Sequence, residues 1–128
     1  MTTEIVDVNT LFGLWPKRKA DITLRTLLDL MEEKGVQRAC TLSARGIFYD
    51  FQEGNRETLA AADEHPSLIP VGTVNPSRWI GCLGEARWLI DRGIRLFPFF
   101  PQYQEWHINQ APFRRLLDDV LAPAGVAL

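Results

Sequence analysis

Apolar positions along the chain fall into short runs that alternate between two periods. Residues 4–8 are rich in β-branched side chains and predict a short buried strand, closed by the polar pair Asn9 and Thr10. Over 23–34 the period changes. Leu24, Leu27, Leu28 and Met31 share one helical face, Thr23 stands as an N-cap and Gly35 as a C-terminal stop. The alternation continues with strands over 36–42, 68–74 and 94–97, and with helices over 55–65, 80–92 and 113–121. In the last helix Phe113, Leu116, Leu117, Val120 and Leu121 face inward.

One junction occurs three times: Lys34-Gly35-Val36, Arg92-Gly93-Ile94 and Ala124-Gly125-Val126. Each is a helix stopped by glycine and followed at once by a β-branched residue. The third copy predicts a fifth strand starting at Val126, and a chain that stops two residues later reads as a truncated one. Strands alternating with helices predict parallel pairing through right-handed crossovers. The pattern is compatible with a barrel or with an open, doubly wound sheet complete in itself. In either, function belongs on the carboxyl ends of the strands. The long strand-to-helix loops, 43–54 and 98–112, lie on that side and carry most of the aromatic residues. Such a rim suits an aromatic or conjugated small molecule, or covering by further chain.

Composition narrows the partners. The 128 residues are 46% hydrophobic and 23% charged, with a net charge of −2, as expected of one globular domain. There is no basic stripe, so nucleic acid and anionic membranes are excluded as expected partners. No cationic start followed by a long apolar stretch marks a signal peptide, and no apolar run is long enough to span a bilayer. Cys40 and Cys82 lack metal-type spacing and read as packed thiols of a reducing, cytoplasmic compartment.

The stretches IVDVNTLFG, TLRTLLDLMEEKGVQRACTLSARG, NRETLAAADEHPSLIPVGTVNPS and LIDRGIRLFPFFPQY, in that order, resemble the N-terminal half of the amidohydrolase-related proteins. The resemblance implies a (β/α)8 TIM barrel, typically a metal-dependent hydrolase or decarboxylase. On it, residues 1–128 would be a single domain: a partial barrel of about four βα units plus the start of strand five. The family motif Asp-x-His-x-His-x-Gly falls on the first stretch. Asp7 and Gly13 match it, whereas Asn9 and Leu11 stand where the two histidines would be. An amide oxygen is a weak neutral donor for zinc, and leucine offers no lone pair. No metal is therefore expected in this chain, although the family usually binds zinc or another divalent ion.

The expected protein is thus part of an amidohydrolase-like hydrolase or decarboxylase of a small carboxylated or aromatic molecule, with an altered or absent metal centre. This chain alone would be inactive. The alternative is a catalytically degenerate barrel that binds a small molecule or a partner. A half-barrel would also self-associate or pair with a C-terminal half.

No catalytic residue can be assigned, but five residues are candidates for substrate binding. Asn9 would hydrogen-bond a ligand or a neighbouring loop, with Asp7 as a buried scaffold acid beside it. Arg45, after the second strand, would clamp a carboxylate through paired hydrogen bonds, or form a loop salt bridge to Asp50. Tyr49 and Trp106 belong to the aromatic rim. His107 has a side chain that titrates near neutrality and would serve proton transfer or simply sit at the surface.

Overall fold

The computed structural model describes residues 3–128, and for Arg18 and Asp21 the backbone alone. Strand β1 (Val6–Trp15) is much longer than its apolar run suggests. A 3-10 turn, Pro16–Arg18, returns the chain into β2 (Ala20–Ile22), which pairs antiparallel with the end of β1, Gly13 opposite Ile22 and Trp15 opposite Ala20. Helix α1 (Leu24–Lys34) follows. The Thr23 hydroxyl accepts the Thr26 N–H at its start, and Gly35 ends it in the left-handed conformation, φ 69°. Next come β3 (Arg38–Ser43), the single turn α2 (Arg45–Phe48), α3 (Phe51–Glu64) and β4 (Leu68–Pro70). The remainder is α4 (Cys82–Asp91), the short α5 (Pro101–Gln104) and α6 (Ala111–Leu116). A π-helical stretch, Leu117–Leu121, runs from α6 into α7 (Ala122–Ala124).

The sheet order is β2-β1-β3-β4, with β1, β3 and β4 parallel. This corrects the expected partial TIM barrel of four βα units plus a fifth strand. The fold is a small α/β domain whose parallel sheet has three strands. The segments expected as strands four and five meet in one isolated bridge, Leu96 to Ala127. Gly72 N donates to Leu96 O (3.2 Å), Phe97 N to Ala127 O (2.9 Å) and Ala127 N to Arg95 O (2.8 Å). These contacts do not grow into a ladder. Pro98, which has no N–H to donate, follows Phe97 at once.

Three apolar clusters hold the layers. Phe12, Ala39 and Leu68 on one sheet face pack against Leu27 and Met31 of α1 and Ala61 of α3. Leu42, Ile47 and Val71 form a smaller cluster on the other face, joined by Leu11, Phe48, Leu96, Phe100 and Tyr103. The largest joins α4 to the C-terminal helical segment through Leu89, Phe97, Leu116 and Leu121. Helices α2 and α3 approach so closely that a Cβ on Gly54 would overlap the backbone of Gly46. Glycine is required there because no side chain fits between the two backbones.

Candidate functional site

The polar cluster in β1 is a bulge. Asp7 pairs with Ala39 and Thr10 with Thr41, so β1 advances three residues where β3 advances two. The exposed Asp7 carboxylate accepts the Asn9 N–H (3.0 Å), and the Thr10 hydroxyl donates to Cys40 O (2.7 Å). Asn9 is therefore mid-strand, six residues before the carboxyl end of β1, and not at its mouth. Leu11 packs among the apolar side chains around Leu42. These two positions do not fit a zinc ion, and among the described residues no three His, Cys, Asp or Glu side chains converge.

The carboxyl end of β3 carries the next candidates. Arg45 Nε lies 2.9 Å from Glu57 Oε2, and its Nη1 lies 3.8 Å from Glu53 Oε2. The Ser43 hydroxyl donates to Glu57 Oε1 (3.1 Å) and accepts the Arg45 N–H (3.3 Å). The guanidinium is thus committed to two acids of α3. Asp50, the partner expected from sequence, instead caps α3 by accepting the Glu53 N–H (3.0 Å). Arg45 and Tyr49 do come together, with Gly13, Leu14, Ser43 and Glu57, around a hollow of about 420 Å³.

A second cleft, of about 400 Å³, opens where the ends of β1 and β3 meet the segment after β4 and the end of α5. Pro16, Lys17, Phe48, Tyr49, Asn75, Ser77, Arg78, Tyr103 and Glu105 are among its walls. Local chemistry fixes each wall. The Asn75 carboxamide oxygen accepts both the N–H (3.0 Å) and the hydroxyl (2.6 Å) of Ser77, and Arg78 N donates to Asn75 O (2.9 Å). The tight turn swings Arg78 back, and its Nη1 donates to Tyr49 O (2.8 Å). The rings of Trp15, Phe48 and Tyr103 meet edge to face, with centroids 5.0 to 5.8 Å apart. Buried Gln104 ties α5 down: its Nε2 donates to Ile47 O (3.2 Å) and its Oε1 accepts the indole N–H of Trp106 (2.9 Å). Among the described residues neither Lys17, Arg78 nor Glu105 belongs to an ion pair.

Trp106, expected on the rim, is a core residue. It is 4% exposed and packs against Phe113 (5.1 Å) and Phe99 (6.1 Å). His107 is exposed and borders a shallow, mostly apolar hollow with Pro101 and Ile108. The structure therefore unites Arg45 and Tyr49, and separates both from Asn9 and from Trp106 and His107. Lys17, Arg78 and Glu105 were missed by sequence reasoning, whereas Tyr103 was one of the loop aromatics. The one available signal was the position of Arg78 just after the Asn75-Pro76 turn that leaves the third predicted strand.

Neither thiol suits nucleophilic work. Burial raises the Cys40 thiol and pushes the Cys82 thiol up to about 11, so both are protonated at neutral pH. The single Cys82 S–H is shared between Asn75 O (3.2 Å) and Arg78 O (3.3 Å), bracing the turn that carries Arg78. No helix among the described residues is long and apolar enough to cross a membrane. No protein-family model matches the chain, and no curated protein matches it.

Proposed function

We propose that this chain binds a small aromatic carboxylate in the cleft walled by Lys17, Arg78, Tyr49 and Tyr103. The reading includes that it does so as part of an amidohydrolase-like hydrolase or decarboxylase acting on that molecule. The observation that carries the binding is the pair of cations in an aromatic cleft, neither of them in an ion pair among the described residues. A guanidinium that spends Nη1 on Tyr49 O keeps further N–H donors for a carboxylate, and the neighbouring ammonium adds charge. The cleft volume of about 400 Å³ falls within the roughly 300–1,000 Å³ usual for small-molecule sites.

The enzyme class is supported by the resemblance of the four ordered sequence stretches to amidohydrolase-related proteins. It is also supported by the position of the cleft at strand carboxyl ends. Among the described residues no three His, Cys, Asp or Glu side chains converge on the cleft, and its walls are assigned to binding and orientation. A cytoplasmic location belongs to the same proposal, supported by two free thiols.

Calorimetric titration with 3-phenylpropionate tests the binding. Saturable binding that weakens tenfold or more in Arg78→Ala, and less in Arg78→Lys, is the expected result. No saturable heat, or equal affinity in both variants and in Lys17→Ala, would remove the proposal.

A further inference from the structure

The same cleft holds an acid as well as two cations, and the backbone is strained to put it there. Glu105 ends α5 in the left-handed region, φ 59° and ψ 50°, where glycine or asparagine is the cheaper residue. Its N–H is held by Pro101 O, and the residues on either side are clamped. Gln104 is hydrogen-bonded to Ile47 O, and Trp106 is buried against Phe99 and Phe113. Glu105 is the one exposed residue between two fixed side chains, and it lines the cleft together with Lys17 and Arg78.

Resting on the binding reading above, we infer that the ligand is a zwitterion, an aromatic amino acid or a close amino-carboxylate relative. Arg78 and Lys17 take its carboxylate, Glu105 takes its ammonium, and the ring lies against Tyr49 and Tyr103. The chemistry requires the acid. A cleft built only for a carboxylate gains nothing from a glutamate, whose charge repels the ligand. A cleft built for both charges gains selectivity from it, because a ligand without the ammonium leaves Glu105 facing it unpaired.

Calorimetry with L-phenylalanine and 3-phenylpropionate separates the two claims. L-phenylalanine is expected to bind about tenfold more tightly than 3-phenylpropionate to the unaltered chain. Glu105→Gln abolishes that preference while leaving 3-phenylpropionate at least as tightly bound. Glu105→Gly relieves the strained backbone, so it folds with a thermal midpoint at or above the parent's and shows the same loss of preference. If 3-phenylpropionate binds and L-phenylalanine binds no better, or if neither substitution changes the preference, the zwitterion inference is wrong and the carboxylate site stands. If neither compound binds, both fail together.

Discussion

The carboxamide of Asn55 completes the backbone of Thr73 at both ends: Nδ2 donates to Thr73 O (2.8 Å) while Oδ1 accepts Thr73 N–H (3.1 Å). Both residues are fully buried. Val71 N still donates to Thr41 O of β3 (3.1 Å), and two residues on a side chain of α3 takes the place of a strand partner. The second Nδ2 proton goes to Glu85 Oε2 (2.8 Å). Asn55→Ala strands a buried N–H, a C=O and part of a carboxylate. A loss of about 2–4 kcal/mol in urea unfolding is expected from such unpaired groups. Asn55→Asp should cost at least as much, because it replaces the donors with a charge beside Glu85.

Glu85 makes the next test asymmetric. Its side chain is 2% exposed and meets Arg56 Nη1 at 3.0 Å, whereas the Arg56 side chain is 50% exposed and stacks on Trp88 at 4.2 Å. Removing the arginine leaves a buried carboxylate with only Asn55, while neutralising the glutamate leaves a guanidinium that water can reach. Arg56→Ala is therefore expected to destabilise more than Glu85→Gln, by about 1–2 kcal/mol, in parallel denaturant melts. Equal losses would show that Glu85 is less isolated than its burial indicates.

These networks show which features a sequence can disclose. Helix α1 was legible because its cap, its apolar face and its glycine stop all lie within one stretch, from Thr23 to Gly35. The β1 bulge was not. Inserting a residue between Asp7 and Thr10 makes Asn9 look like the end of a strand that in fact runs on to Trp15. Asn55 and Glu85 are thirty residues apart, and nothing near either announces the other. Trp106 reads as a rim residue until the Gln104 carboxamide oxygen is seen to accept its indole N–H, which allows the ring to be buried. The three-stranded parallel sheet, in place of five strands, follows from pairing that short segments such as 94–97 do not sustain beyond one bridge. Arg45 and Tyr49 were legible as neighbours of one loop. Lys17, Arg78 and Glu105 become neighbours only through the fold.

Two glycines within helices should respond in opposite directions. Gly54 has the Gly46 backbone where its Cβ would be, while nothing lies within 4 Å of a Cβ on Gly84 in α4. Alanine favours a helix over glycine by about 1 kcal/mol. Gly84→Ala should recover much of that as a higher melting temperature. Gly54→Ala should lose about 1–3 kcal/mol because α2 and α3 must separate. A stabilised Gly54→Ala would mean that the two helices pack less closely than described.

The outer edge of residues 6–12 of β1 pairs with no strand among the described residues, since β2 reaches only Gly13 to Trp15. Val8 on that edge is 67% exposed, with Ile5 at 49% and Val6 at 40%. An open edge with β-branched side chains favours pairing with a second copy. Sedimentation at rising micromolar concentration is expected to show self-association that Val8→Lys weakens. An unaltered chain that stays monomeric throughout would rule out this edge as a contact.

Burial of Cys82 sets a pH limit on stability. The folded thiol titrates at about 11, whereas an unfolded one titrates near its ordinary 9.0. Below that lower value both states hold the proton, and the thiol gives stability no pH dependence. Between the two values the unfolded chain releases the proton and the folded chain keeps it, so unfolding becomes progressively easier as pH rises. Cys82→Ala removes the titration and also removes the thiol's hydrogen bonds to Asn75 O and Arg78 O. The variant should be less stable at neutral pH. Its stability should nevertheless fall less steeply than the parent's from pH 9 to 11, a difference that isolates this thiol from the other groups titrating there. Parallel slopes for the two proteins would mean that water reaches Cys82 in the folded state.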